Sequence, residues 1–331
     1  MVTTTYQTVR MGGIREDLTN EISDITPMET PVFSMLRRGA PAKNVFTEWQ
    51  TDALASPSGT NRLVEGADAS YLTATPTVRL RNYLQISGKA IIVSGTADAV
   101  TTAGREQELA YQIAKRGKEI KRDMETAITG NYASNAGASA TARVSAGMEA
   151  WLTTNSLYGG TAGATDGANG GYTAAGTVTA ATDGSASNLR TFTEAALKSS
   201  LKKCWVAGGQ PTTVIVGPFN KQKASAFPGI TTKYSDFGNN PSSSAGLAIV
   251  GAADIYLGDF GKVKIVPNRF SRDRTALVLD PEYWSIHYLR PFRVVELAKT
   301  GDATKKQMLA EWTLCSKNQA ASGKIADLIA A

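Results

Sequence analysis

One histidine in 331 residues, His287, narrows the chemistry open to this chain. General acid–base steps, nucleophile activation and zinc binding most often use one or more histidines. His287 stands in the alternating run Trp284-Ser285-Ile286-His287-Tyr288-Leu289, the pattern of a sheet surface. Two carboxylate pairs have the spacing of an acid and a base, Glu16 with Asp17 and Asp280 with Glu282. The first falls on the polar face of a predicted helix, the second in the turn Asp280-Pro281-Glu282. Asp259-Phe260-Gly261 copies the metal-binding triplet of kinases but lacks the Gly-rich loop, lysine strand and His-Arg-Asp loop that give it meaning, so it reads as a hairpin turn. The glycines from 159 to 171 precede no Lys-Ser/Thr and do not join a strand to a helix, so they form no phosphate cradle. Cys204 and Cys315 fit neither a disulfide framework nor a metal knuckle and read as buried thiols. No catalytic centre, cofactor or metal site is expected.

The bulk properties agree. The 19% of charged residues is below the roughly 25% of an ordinary soluble domain and leaves room for subunit contacts. Net charge is +6, with the basic residues scattered. Arg10, Arg15, Arg37, Arg38 and Lys43 gather near the start, where they either meet phosphates through sequence-independent charge or form a solvated face. Apolar runs of only a few residues predict no membrane span, and the opening Met1-Val2-Thr3-Thr4-Thr5-Tyr6 lacks the marks of a secretory signal, so the chain is expected in the cytosol where it is made.

Few elements remain to position a site. Residues 13–36 carry an amphipathic pattern through Ile14, Leu18, Ile22 and Ile25, stopped by Pro27, then a short apolar segment from Thr30 to Leu36. Such an arm is too small to fold alone and must lie against something. Alternation at Val45–Gln50 and Val78–Arg81, continuing to Val93, predicts two strands around a long polar loop, a protruding hairpin of about 50 residues. From 105 to 130 the stripe Leu109, Ile113, Ile120, Met124, Ile128 predicts one long helix, with Lys121 and Glu125 set to pair across a turn. Residues 131–187, rich in Gly, Ala, Ser and Thr, read as a flexible or interface-ordered excursion broken by a short helix at Met148–Leu152. Thr191 and Glu194 have capping-box spacing, opening a helix with Leu197, Leu201 and Trp205 on one face. A strand at Thr212–Val216, a helix to Phe227 and then strands at 247–257, 263–266, 275–279, 284–289, 294–297 and 308–315 complete an α+β chain.

An arm, a long two-stranded protrusion, a spine helix and a mixed region, in that order, resemble the Hong Kong 97-type fold of tailed-bacteriophage major capsid proteins. The wording is similar too: Ile14-Arg15-Glu16-Asp17-Leu18-Thr19 with Thr30-Pro31, Glu48-Trp49-Gln50-Thr51-Asp52, Leu279-Asp280-Pro281-Glu282-Tyr283-Trp284, Tyr288-Leu289-Arg290-Pro291-Phe292-Arg293 and Leu297-Ala298-Lys299-Thr300-Gly301-Asp302-Ala303. The resemblance implies an N-arm at 1–44, an extended loop at 45–95, a spine helix and peripheral domain at 96–187, an axial domain at 188–260, and strands at 261–331 that return to both domains. It implies hexamers and pentamers of an icosahedral shell around double-stranded DNA, a virion component assembled in the host cytoplasm. A portal protein and a separate scaffolding or decoration protein would be its partners, with no membrane. Trp49, Glu48, Arg79, Arg81 and Leu84 are expected at intersubunit contacts, and Arg10, Arg15, Arg37, Arg38 and Lys43 near DNA on the inner face. Some relatives join subunits by a Lys-to-Asn bond; no acid-assisted site is marked around Lys89, and no crosslink is expected. The competing readings are an encapsulin-like compartment shell, a nucleic-acid-binding module, and a hydrolase or transferase built on a carboxylate pair.

Overall fold

A computed structural model describes residues 26–66, 68–69, 71, 73–102, 104, 107–159, 166–227 and 254–330. The predicted helix over 14–25, and with it Arg10 and Arg15, lies outside the described residues.

The arm becomes describable at Thr26. Helix α1 (Pro31–Met35) begins with proline at its first turn, where the missing N–H costs nothing. Two of its amides are held by Glu125, Val32 N–H donating to Oε1 (2.9 Å) and Phe33 N–H to Oε2 (2.6 Å), and Asn268 Nδ2 donates to the same carboxylate at 2.6 Å. Glu125 is therefore buried and turned inward, which removes the expected surface pair with Lys121. Burial raises its pKa, with the three donors opposing the shift. Strand β1 (Arg37–Arg38) then runs parallel to a long later strand, so the arm lies along its own subunit.

Strands β2 (Phe46–Thr51) and β3 (Val78–Tyr83) form the expected antiparallel hairpin. After Leu84 the chain enters β4 (Gln85–Ser94), then α2 (Gly95–Ala99) and the spine, α3 (Glu108–Thr129). At 1.5 Å per residue its 22 residues span roughly 33 Å. The apolar stripe is used unevenly: Ile120, Met124 and Ile128 are buried, whereas Leu109 and Ile113 are only half covered. Gly117 faces Met308, whose sulfur would sit 3.6 Å from an added Cβ.

The segment read as a loose excursion is largely folded. It contains α4 (Met148–Trp151), entirely buried, and strands β5 (Ser156–Leu157), β6 (Gly171–Tyr172) and β7 (Val178–Thr179). Helix α5 (Glu194–Val206) is capped by Thr193, whose hydroxyl accepts from Ala196 N–H, rather than by Thr191. Glu194 occupies the first turn and accepts from the Tyr256 hydroxyl at 2.9 Å. The buried face of α5 is Leu197, Ser200, Leu201 and Cys204, which leaves Trp205 on the outside against Phe260, ring centroids 5.4 Å apart.

Next come β8 (Thr213–Val216), α6 (Pro218–Ser225), β9 (Ile255–Gly258), β10 (Gly261–Pro267) and β11 (Ala276–Leu279), then β12 (Trp284–Glu296), β13 (Ala303–Ser316) and β14 (Gly323–Ile325). Asp259-Phe260 is the turn of the β9–β10 hairpin, with Gly261 at φ 123°, a backbone region that favours glycine. The two strands expected at 284–289 and 294–297 are one, because register shifts between Tyr288 and Arg293 absorb Pro291.

Among the described residues the two larger sheets are ordered β1-β12-β13-β4 and β5-β14-β11-β8-β10-β9, beside the two-stranded β2-β3 and β6-β7. Strands β8 and β11 are buried on both faces and divide them between two cores. Ile215, Leu277 and Leu279 join α1, α3, α4 and the first sheet; Val214, Val216, Ala276 and Val278 join α5 and α6. Trp151, Trp284 and Trp312 fill the first core, each fully buried large side chain stabilising it by about 2–3 kcal/mol.

Candidate assembly surfaces

The hairpin alternates as a strand pair must. Phe46, Glu48, Arg79, Arg81 and Tyr83 share one face, while Trp49, Leu80 and Asn82 share the other, turned to the body. Asn82 is fully buried and locks the base: Nδ2 donates to Leu314 O at 2.8 Å, and Oδ1 accepts from Ala146 N–H at 3.0 Å. Trp49 is half-buried against Trp151, centroids 5.4 Å apart, and Trp151 stacks on Tyr172 at 5.9 Å.

Three of the residues expected at subunit contacts are therefore engaged within the subunit. Leu84 is 0% exposed. Arg81 donates through Nε to Gly176 O (2.8 Å) and through Nη2 to Ala175 O (3.0 Å), with its guanidinium over the Phe46 and Tyr83 rings. The expectation of an uncovered apolar face at Trp49 and Leu84 is thus corrected: strand alternation points both inward. Glu48 and Arg79 do remain at the surface, as a 3.4 Å ion pair.

The uncovered apolar groups lie further out. The described residues of the connection from 52 to 77 form no helix or strand, and among them Leu54 (100%), Leu63 (86%), Val64 (78%) and Tyr71 (95%) are exposed. Elsewhere Trp205 and Val206 are exposed at the end of α5, and Ile255 and Leu257 on the face of β9 opposite the buried Tyr256. Isolated exposed apolar residues are ordinary, but clusters of this kind mark contact surfaces. Sequence patterning passed over the loop residues because they follow no period, and it placed Trp205 on the buried face.

Of the arm's basic residues, the described Arg37 and Arg38 lie along β12. Arg37 lies 4.0 Å from Glu282, and the Arg38 guanidinium sits 5.4 Å over the Tyr288 ring. Both are exposed, as is Lys43. His287 helps fix this arm: Nδ1 lies 2.8 Å from Ala40 O and Nε2 3.0 Å from Ser285 Oγ, and burial lowers its pKa.

A buried ionic cluster, unmarked by any motif, binds the Gly-rich segment to the C-terminal strands. Glu149 is 1% exposed and receives Arg272 Nη1 (3.1 Å) and the Thr275 hydroxyl (2.9 Å); Arg272 also reaches Asp183. Asp327, at φ 56°, accepts from Gly159 N–H (3.3 Å), Gly167 N–H (3.1 Å) and Gly184 N–H (2.8 Å), with Arg274 3.5 Å away. Lys324, 0% exposed, donates to Glu149 O at 3.0 Å and lies 5.4 Å from the Tyr158 ring centroid. Burial lowers its pKa to about 8, against the pull of Glu149, and burial raises the Glu149 carboxyl despite Arg272. Sealed from solvent, this lysine supports packing rather than substrate chemistry.

Lys89 Nζ lies 2.9 Å from Asp123 and 3.3 Å from Glu119. Burial would lower its pKa, but the hydrogen bonds and charges of the two acids outweigh it and the pKa stands raised. The two acids, missed in sequence, hold Lys89 in an ion pair that favours its ammonium form. Cys204 and Cys315 are free, buried thiols, with pKa pushed up by burial to about 11. Among the described residues no group of three or more His, Cys, Asp or Glu could hold a metal ion, and no helix is long and apolar enough to cross a membrane.

Comparison with known proteins places this geometry. The chain is 42% identical over 122 residues to the major capsid protein of Escherichia phage Phieco32, a match covering 37% of this chain and 34% of that protein. The matched stretch thus spans about a third of the relative's length. Among solved structures, the capsid asymmetric unit of cyanophage A-1(L) superposes with a TM-score of 0.65 at 12% identity, covering 95% of this chain and 97% of the other. The holo-SrpI encapsulin complex of Synechococcus elongatus superposes with a TM-score of 0.54 at 11% identity, covering 96% and 93%. The fold is the Hong Kong 97-type capsid fold. Because the SU10 major capsid protein family matches residues 1–329, nearly end to end, the chain belongs to that family of capsid proteins, which is not a family of enzymes.

Proposed function

We propose that this chain is a phage major capsid protein whose copies associate as hexamers and pentamers of an icosahedral shell enclosing double-stranded DNA. The observation that carries the reading is the 52–77 connection. It holds four nearly bare apolar side chains at the end of a hairpin whose base is locked to the body, so only another molecule covers them. Many such heterologous contacts, repeated around closed rings, build a shell without any one tight interface. In this reading the loop, with Glu48 and Arg79 at its root, lies over a neighbouring subunit. Arg10, Arg15, Arg37, Arg38 and Lys43 face the packaged DNA, whose attraction to them is sequence-independent and screened by salt. A portal protein and a separate scaffolding or decoration protein complete the partners, and assembly takes place in the host cytoplasm.

A compartment shell enclosing protein is the second reading, favoured by the likeness to the encapsulin complex. Electron microscopy and sedimentation of the purified chain at micromolar concentration test both. Uniform shells or six-fold rings are expected, and nucleic acid or protein inside them separates the two. A monodisperse monomer that stays so when co-expressed with the neighbouring structural proteins of its source would overturn the shell reading.

A further inference from the structure

The Gly-rich segment concentrates the chain's most labile peptide steps. An Asn or Asp stands directly before a glycine at three positions in the sequence, Asp166-Gly167, Asn169-Gly170 and Asp183-Gly184, and all three lie in this segment. A following glycine leaves the backbone free to bring its own amide nitrogen onto the side-chain carbonyl carbon of the residue before it. A bond then forms between that nitrogen and Cγ. The amide proton leaves with the side-chain NH2 as ammonia from Asn, or with the OH of a protonated Asp as water. Water reopens the cyclic imide at either carbonyl and gives aspartate or isoaspartate, with no change of oxidation state.

The fold cannot dispense with these glycines. A Cβ on Gly170 would run into Thr179 O, one on Gly167 would stand 2.8 Å from Thr182 O, and one on Gly184 would stand 2.8 Å from Asp327 Oδ2. Instead, both reacting partners are held still. Gly167 N–H donates to Asp327 Oδ2 at 3.1 Å and Gly184 N–H to Oδ1 at 2.8 Å, so each nitrogen is aimed at a buried carboxylate rather than at the side chain before it. Loss of an amide proton beside that negative charge is also disfavoured. The side chains are fixed as well. Asp166 accepts from Asn188 Nδ2, and Asp183 is ion-paired with Arg272, which makes its carboxylate a poor electrophile. Asn169 Oδ1 accepts from the Tyr158 hydroxyl at 2.9 Å, while its Nδ2 donates to Thr153 O at 2.8 Å. Ala168 and Thr182 exchange both backbone hydrogen bonds, at 2.9 and 2.8 Å, which ties the first two steps to the third.

We propose that Asp166, Asn169 and Asp183 are latent isoaspartate sites, and that Asp327 and Tyr158 are the groups that hold them unreacted. The buried cluster thus protects the segment chemically as well as anchoring it. This protection belongs to a single subunit and holds whether or not copies assemble.

The test is peptide mapping with isoaspartate-specific methylation of the purified full chain, after prolonged incubation at mildly alkaline pH below the unfolding temperature of each protein compared. Wild type should convert Asn169 at least about fivefold more slowly when folded than in denaturant, and Tyr158→Phe, lacking one hydrogen bond, should lose about that factor. Asp327→Asn should raise isoaspartate at Asp166 or Asp183 about fivefold by weakening the hold on the glycine amides. Val263→Ala, a buried change on β10 that touches none of these hydrogen bonds, should raise neither. Equal conversion of Asn169 in folded and denatured wild type overturns the inference, as does an unchanged rate in Tyr158→Phe. Unchanged isoaspartate at both aspartates in Asp327→Asn overturns the role given to Asp327. A rise in Val263→Ala that matches the other variants would assign the effect to general loosening of the fold and overturn it too.

Discussion

Two long polar connections leave the body of this molecule and meet opposite fates. Residues 131–187 are rich in glycine and small side chains, yet they close onto their own subunit. Asn131 pairs both ways with Ala181, Ser134 pairs both ways with Val178, and Trp151 and Tyr172 stack at an interplanar angle of 11°. Residues 52–77 contain larger apolar groups, yet these stay in water. Hydrophobicity does not decide between them; the supply of buried polar partners does. The body offers the first segment Asp327, Arg272 and Arg274, which satisfy backbone and carboxylates that would otherwise be desolvated without compensation. Among the described residues, the second segment's hydrogen bonds to the rest of the chain are those at the hairpin root, which is why its apolar groups carry the proposed contact with another molecule.

Asp327→Ala strikes this difference hardest. It leaves three glycine amides without their acceptor, removes one of the partners of Arg274 and places alanine at φ 56°. At roughly 1 kcal/mol for each orphaned amide and a further 1 kcal/mol for the left-handed backbone, the subunit should lose about 4 kcal/mol in denaturant unfolding. Proteolysis should then open between 159 and 184. Asp327→Asn, which tolerates the same backbone and keeps one acceptor, should lose about half as much. If Asp327→Ala leaves stability and cleavage unchanged, the cluster is not what folds this segment.

That cluster also shows where reading the sequence stops. Periodicity located α3, the β2–β3 hairpin, α4 and the β9–β10 turn, because each is specified by neighbours a few residues apart. Whole-chain order and wording pointed to the capsid fold. Asp327, however, meets its glycine partners 143 to 168 positions away, and Glu125 meets Val32 at a separation of 93. No local pattern distinguishes such a carboxylate from a solvated one. Lys324 likewise looks in sequence like a surface lysine and is wholly buried. For the contact residues, the strand period put apolar groups such as Trp49 and Leu84 on one face of the hairpin but could not say whether the body or a neighbour covers it.

Trp49→Ala sharpens the comparison at the boundary between the two connections, since Trp49 rests on Trp151 and so ties the hairpin to the folded segment. Truncating a half-buried indole should destabilise the isolated subunit by about 2 kcal/mol, less than a fully buried one. The loss should appear in subunit unfolding before any effect on assembly is considered. An unchanged unfolding midpoint with assembly abolished would mean that the ring works chiefly between subunits, as its place on a protruding hairpin first suggested.

The smallest effect on the subunit should come from the bare connection itself. Leu63→Ser combined with Val64→Ser alters side chains that are 86% and 78% exposed, and surface changes of this kind stay within about 0.5 kcal/mol. The subunit should unfold at its usual denaturant midpoint, while the yield of closed shells by sedimentation falls to a small fraction. The contrast with Asp327→Ala is the point of the pair: one change should cost the fold and the other only the assembly. Shells forming at normal yield would show that these two side chains are covered by nothing in the particle, and the loop's claim to be the principal contact would pass to the exposed Trp205 and Val206 at the end of α5.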